Sequence, residues 1–425
     1  MPIRAERESS SQNPEKSHSG PAARPRIALY SHDTMGMGHM RRNLLIAHAL
    51  SQPPLKAVLL LVTGARRAAA FALPPGTDCL TLPSLYKEPD SRYRPRLLRV
   101  ELDELVALRS AAIRAALSSF QPDLFIVDNV PRGAVRELDR TLEDLHWNGR
   151  TRCVLGLRDV LDEPGAVRRD WTRARNEEAV RVFYDSVWVY GDPSVYNLVH
   201  EYGLPSDIGE KVRYTGYLDQ RARLELAKGN GSDPLGRLRL PEGRLALCLL
   251  GGGQDGARLG EAFAKAELPP LFNGVIVTGP FMAEEEKRRL QDLTISRSKL
   301  RVIEFLPEPM LLLQKAERVV SMGGYNTTCE ALSLGKRTLI VPRTRPRTEQ
   351  LIRATRLAAR KLVEVLHPDD VSPSSLSNWL GSNGGPFRRA ADHIDLHGLE
   401  RIPGLAVELL GWPEPDAMGV AAGAR

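Results

Sequence analysis

The stretch from Arg318 to Gln350 restricts the possible folds more than any other part of the chain. An apolar run, Arg318-Val319-Val320-Ser321-Met322, meets a glycine pair, Gly323-Gly324. Polar Tyr325-Asn326-Thr327-Thr328 follow, then the helical run Cys329-Glu330-Ala331-Leu332-Ser333-Leu334, closed by Gly335. A second apolar run, Thr338-Leu339-Ile340-Val341-Pro342, leads into an arginine-rich loop ending in Glu349-Gln350. The pattern reads as strand, glycine turn, helix and strand. A strand that passes through glycines into a helix start aims backbone N–H groups and the positive end of the helix dipole at one spot, which suits an anion. Glu330, one turn into that helix, is placed to accept hydrogen bonds from a pair of vicinal hydroxyls.

The segment Ser321 to Glu330, with Gly335, Pro342 and Glu349-Gln350 behind it, resembles the donor-binding region of glycosyltransferase family 28. The resemblance is strongest over about residues 244–365 and returns briefly at residues 27–49. It implies an α/β protein of the GT-B fold, in which two doubly wound, parallel-sheet (Rossmann-like) domains face each other across a cleft. It also implies a nucleotide-sugar donor, used as a substrate, with no cofactor and no metal.

A chain of 425 residues exceeds what one core usually fills, which is consistent with two domains. Its 42% apolar and 26% charged residues are ordinary for a globular protein. The net charge of +7 is mild; it favours anionic partners without pointing to nucleic acid. Cys79, Cys153, Cys248 and Cys329 are widely spaced and do not cluster with the nine histidines, so reduced thiols in the cytoplasm and no zinc site are expected. The longest apolar run near the start, Ala57 to Val62, falls far short of the roughly 20 residues of a membrane span. Peripheral contact with the inner face of a membrane stays open.

Residues 1–25 read as a disordered tail, rich in Ser, Pro, Arg and Glu. An N-terminal domain over residues 26–218 begins with the buried strand Arg26 to Ser31. The loop His32-Asp33-Thr34-Met35-Gly36-Met37-Gly38-His39 then enters a helix. Arg41 stands where a GxGxxG fingerprint needs its third glycine, which argues against a dinucleotide site. The resemblance instead makes Gly36-x-Gly38-His39 a loop that closes over the donor phosphates, with His39 as the general base. An imidazole near its ordinary pKa can take a sugar-hydroxyl proton at neutral pH. His32 and Asp33 sit at the same strand edge, so residue type alone leaves the base open among the three.

Further strand-like runs alternate with helical patterns, which indicates a helix-covered parallel sheet whose ligands collect at the strands' carboxyl ends. Asp128-Asn129 and Arg158-Asp159 fall at that rim as acceptor-binding or base-supporting residues, or as plain strand-end caps. Lys87 to Arg99 is a basic loop, either solvated or facing an anionic acceptor or lipid headgroups. Residues 219–240 read as a charged linker centred on Gly229-Asn230-Gly231-Ser232.

A C-terminal donor domain spans residues 241–412, followed by a flexible tail over 413–425. It opens with the apolar strand Arg244 to Leu250 and the loop Gly251-Gly252-Gly253-Gln254-Asp255. No Lys-Ser/Thr follows, so this is not a Walker A loop, yet its bare N–H groups suit phosphate oxygens. By resemblance Gly251 to Gln254 hold the donor diphosphate, Phe305-Leu306 form the base-binding corner, and Glu349-Gln350 contact the donor sugar. Gly323, Gly324, Asn326, Thr327 and Glu330 complete the donor site. Asp255 would repel a diphosphate unless it points away. Arg343, Arg345 and Arg347 depart from the family's loop and meet either phosphate or an anionic acceptor. The final helix, Leu399 to Leu410, is expected to pack back across the first domain.

These readings converge on an inverting, metal-independent hexosyltransferase that uses a UDP-sugar and an unidentified acceptor, whether glycolipid, saccharide or small metabolite. A nucleotide-sugar 2-epimerase of similar plan, or a non-catalytic nucleotide-sugar-binding relative, are the alternatives.

Overall fold

The computed structural model describes residues 24–34, 38–66, 68, 71–88, 92–228, 236–253, 255–306, 308–383 and 388–412. Met35, Gly36, Met37 and Gln254, the 229–235 segment and most of both tails lie outside them.

The apolar runs of the first half form strands β1 (Arg26–Ser31), β2 (Val58–Thr63), β3 (Thr77–Thr81), β4 (Leu85–Lys87), β5 (Tyr93–Pro95), β6 (Leu124–Asp128), β7 (Arg152–Arg158), β8 (Ser186–Tyr190) and β9 (Val212–Tyr214). β4 and β5 pair as a small antiparallel hairpin. The others make one parallel sheet in the order β3-β2-β1-β6-β7-β8-β9. The central strands are apolar throughout because helices cover both faces, and all five residues of β6 and β8 are buried.

The second half repeats the plan with β10 (Arg244–Leu249), β11 (Phe272–Val277), β12 (Leu300–Ile303), β13 (Ala316–Ser321), β14 (Arg337–Ile340) and β15 (Glu364–Val365). These also run parallel, in the order β12-β11-β10-β13-β14-β15. Each sheet therefore has a switch point where the strand order reverses: β1 beside β6 in the first, β10 beside β13 in the second. A crevice opens at the carboxyl ends of such strands. His39 opens the helix after β1, Asp128 ends β6 with Asn129 behind it, and the loops after β10 and β13 carry Gly251–Gly253 and Gly323–Gly324.

Chain paths cross between the two halves. The last helix, Gly398–Leu410, packs on the N-terminal domain's first helix, Gly38–Ser51, as the sequence suggests. Leu218 and His397 form an isolated antiparallel bridge. Apolar residues of both domains merge into one core, in which Ile27, Trp188 and Tyr217 meet Tyr325, Cys329, Leu357 and Ile402. Within this joint lies a buried ion pair, Arg353 with Asp159, at 2.8–3.0 Å, and the Tyr217 hydroxyl donates to Asp159 at 2.9 Å. The Tyr325 hydroxyl donates to the Tyr190 carbonyl at 2.8 Å.

The first part of the expected linker is built into this structure: residues 222–228 form a helix, and Gln220 and Arg223 are buried. Arg223 is held there by two carboxylates of the C-terminal domain, Glu308 and Glu330.

Removing one partner of a buried pair strands the other charge. Arg353→Met should lower unfolding stability by about 3–5 kcal/mol in a urea titration. Arg356→Ala, which breaks a partly exposed pair with Glu201, should cost no more than about 1 kcal/mol.

Candidate active site

Asp33 begins the N-terminal wall. Its backbone takes a left-handed φ of 44°. One carboxylate oxygen accepts the Met40 N–H at 3.0 Å, and the other accepts the Ser31 and Thr63 hydroxyls at 2.5 Å. Asp33 thus caps the helix start that carries His39, and its oxygens are spent there.

His39 is partly exposed, and its Nδ1 lies 2.5 Å from Asp128 at the end of β6. Asp128 is 1% exposed and also accepts hydrogen bonds from Arg42, one helical turn after His39, at 2.5–3.0 Å. Burial opposes ionisation of Asp128, but the Arg42 guanidinium and the His39 ring outweigh it and hold the carboxyl well below the usual range. Arg42 is itself stacked near the Tyr190 and Tyr325 rings, at 5.7 and 5.5 Å. A fixed, ionised Asp128 orients the imidazole so that Nε2 is the nitrogen left to face a ligand.

His32 stands beside His39, with ring centroids 4.7 Å apart. It is buried, and its Nδ1 has no hydrogen-bond partner among the described residues. Burial, followed by the neighbouring His39, pulls its pKa well below the ordinary histidine value. It lines the cleft as a neutral ring. Of the three groups at this strand edge, only His39 has a carboxylate behind it.

The opposite wall is the C-terminal switch point. Gly253 has φ 93°, and a Cβ there would sit 2.4 Å from the Thr278 carbonyl oxygen, so the turn requires glycine. Its N–H closes on the Leu250 carbonyl at 3.1 Å. The N–H groups of Gly251 and Gly252 have no partner among the described residues. Gly323, at φ 76°, lets β13 turn sharply into the helix Tyr325–Ser333. No side chain caps that helix start, and the N–H groups of Tyr325, Asn326 and Thr327 have no partner among the described residues.

Two adjoining cavities fill the cleft. The larger, about 520 Å³, is bordered by His32, His39, Asn129, Arg158, Gly251–Gly253, Gly324, Glu349 and Gln350. The smaller, about 250 Å³, is bordered by Gly38, Arg41, Phe305, Leu306, Asn326, Thr327 and Glu330. His39, Gly38, Arg158, Gly251, Gly252 and Gly324 border both.

The structure thus gathers His39, Gly38, Asn129, Arg158 and the C-terminal residues singled out in the sequence, with Glu330 in the same cavity as Gly252 and Gly324. Gly36 and Gln254 lie outside the described residues. Asp159 is a correction: it does not face an acceptor, because it is fully buried against Arg353 and Tyr217 at the domain joint. Asp128 stands one layer back, behind His39. Gly323 shapes the turn and borders neither cavity. Asn326 spends its side-chain amide on the Gly38 carbonyl at 2.8 Å, which draws the two walls together. Asp255 is neutralised by Arg343 at 3.2 Å, and Arg343 also pairs with Glu349 at 2.8 Å. Gln350 accepts the Arg343 N–H at 2.8 Å.

Three arginines of the site carried no sequence signal. Arg42 fixes Asp128. Arg223 reaches from the linker to one carboxylate oxygen of Glu330, and Glu330 borders the smaller cavity. Arg41 donates to the Leu306 carbonyl at 3.1 Å, and burial pulls its pKa down to about 10. Arg158 is pulled to about 10 by burial as well, and its Nε is unpartnered among the described residues. The four cysteines are unbridged, and no group of His, Cys, Asp or Glu among the described residues has the arrangement of a metal site.

This architecture is the GT-B fold. Solved structures resemble it over nearly their whole length. They include the calicheamicin glycosyltransferase CalG4 (17% identity, 93% of this chain and 96% of that one, TM-score 0.53). A UDP-glucosyltransferase from Polygonum tinctorium gives 13%, 92%, 94% and 0.57 for the same measures. The UDP-GlcNAc 2-epimerase of Neisseria meningitidis gives 16%, 91%, 99% and 0.58. Residues 247–382 match the glycosyltransferase family 28 C-terminal domain. No curated protein matches the chain by sequence.

The depressed Asp128 pKa has a consequence for folding. A carboxyl whose folded pKa lies below its unfolded value stabilises above the unfolded value, and the gain fades as pH falls toward the folded one. The stability difference between wild type and Asp128→Asn should therefore be constant from about pH 5 to 7 and shrink below about pH 4. Denaturant titrations across pH check this.

Proposed function

We propose that the protein is a glycosyltransferase that moves a hexosyl group from a UDP-sugar to an acceptor hydroxyl, with inversion and without a metal. The observation that carries the reading is the His39–Asp128 pair at the junction of both cavities, opposite two sets of unsatisfied backbone N–H groups. The donor diphosphate would lie on Gly251, Gly252 and the helix start at Tyr325, with its ribose hydroxyls on the Glu330 carboxylate. Phe305 and Leu306 would border the base, and Glu349 and Gln350 the sugar.

His39 Nε2 would accept the acceptor hydroxyl's proton while Nδ1–H donates to Asp128. The oxygen attacks the anomeric carbon as the bond to the diphosphate breaks on the opposite face, which inverts the centre. Negative charge then grows on the leaving phosphate oxygens. Preorganised N–H groups and the adjacent Arg158 guanidinium oppose that charge at little reorganisation cost. A cytoplasmic location is part of the proposal, supported by the four unbridged thiols. Among the described residues no helix is long and apolar enough to cross a membrane.

A thermal-shift panel of uridine, guanosine and thymidine diphosphate sugars should give its largest rise with the uridine series, since ligand binding stabilises by mass action. Glu330→Gln should weaken that response. His39→Ala should leave it intact and cut acceptor-dependent release of the nucleoside diphosphate by about 10²–10⁴-fold. Donor turnover that needs no acceptor would favour an epimerase of the same fold and overturn the transferase reading.

A further inference from the structure

The larger cavity is also bordered by Lys87, Tyr93, Trp171 and Arg347. Of the two cations, Lys87 has no anionic partner among the described residues, and Arg347 has only long ion pairs. Lys87 belongs to the β4–β5 hairpin and packs over the Tyr93 ring at 5.3 Å. Among the described residues no carboxylate lies within ion-pair distance of its ammonium and none accepts a hydrogen bond from it. Arg347 approaches Asp162 and Asp170 only at 3.8 and 3.7 Å, without a hydrogen bond among the described residues.

The carboxylates that could neutralise these cations are engaged elsewhere. Asp162 accepts the N–H groups of Glu163 and Thr348, both at 2.9 Å. Asp170 is paired with Arg173 at 2.7 Å. Burial, then the neighbouring Arg347, pulls the Lys87 pKa down to about 8, with Arg173 adding to the effect and Asp170 opposing it. The Lys87 ammonium is partly desolvated beside the Arg347 guanidinium with no carboxylate of its own among the described residues, a cost that a bound anion would offset.

We propose that Lys87 and Arg347 form an oxyanion subsite of the acceptor pocket, so that the acceptor carries a carboxylate or phosphate group as well as its reacting hydroxyl. This inference deepens the transferase reading and rests on it for the word acceptor. Lys87 and Arg347 border the larger cavity and Glu330 the smaller, so the donor ribose and the acceptor's charge would fall in different cavities. Such an arrangement orients the acceptor by its charge and presents its hydroxyl to Nε2.

The test uses the full chain saturated with UDP, at ionic strength fixed with sodium chloride, titrated with inorganic phosphate or with acetate while the melting temperature is followed. Wild type should show a further, saturable rise with at least one probe, and the stronger probe identifies the oxyanion. Lys87→Met and Arg347→Gln should each weaken that response about tenfold, the usual scale for one charge-assisted contact, while the rise caused by UDP itself is kept. An absent second response, or one equal in wild type and both variants, overturns the subsite. A missing response to UDP instead overturns the transferase reading, and the effect of the two substitutions on the phosphate and acetate responses then decides the subsite alone.

Discussion

Two domains that share one apolar core cannot swing apart without exposing it to water. The helix that ends the chain, the Tyr325 and Cys329 side chains and the Asp159–Arg353 pair all sit in that joint. Burial of this kind favours association in proportion to the apolar area covered. The buried ion pair adds a different constraint, since either charge alone would be costly there. The relative placement of the two switch points is therefore a property of the core. Closure of a hinge is not needed to bring His39 toward the C-terminal amides, because Asn326 already bonds Gly38 across the cleft.

Within that frame the charges are arranged by partner. Asp128 has Arg42 and His39, Glu330 has Arg223, and Glu349 has Arg343, each at hydrogen-bonding distance. Held carboxylates of this sort act through geometry: Asp128 points an imidazole, Glu330 is fixed at the border of the smaller cavity, and Glu349 ties down the arginine loop. Asp255, which would repel a diphosphate as a bare charge, is neutralised by the arginine loop that distinguishes this chain.

Much of this was legible in the residues. Fully apolar strands such as Leu245 to Leu250 can sit only inside a covered sheet, and Gly251–Gly253 and Gly323-Gly324 mark turns that no other residue makes as easily. Those features locate the two strand ends of the C-terminal wall, after β10 and β13. What stayed hidden depends on distant partners. Arg42, Arg223 and Arg353 look in sequence like any solvated arginine, because their carboxylates lie 86, 107 and 194 positions away. Asp159 was misplaced for the same reason. A strand-end carboxylate that faces the cleft and one that faces the domain joint share the same local sequence pattern.

The account stands on a diphosphate held by backbone amides beside a ribose held by a carboxylate. A crystal structure of the chain with UDP measures this directly. The account predicts phosphate oxygens within about 3.2 Å of N–H groups from the Gly251–Gly252 turn and the helix start at Tyr325. It also predicts the ribose hydroxyls on the Glu330 carboxylate. Phosphates bound away from both turns, or a ribose that makes no contact with Glu330, would contradict it.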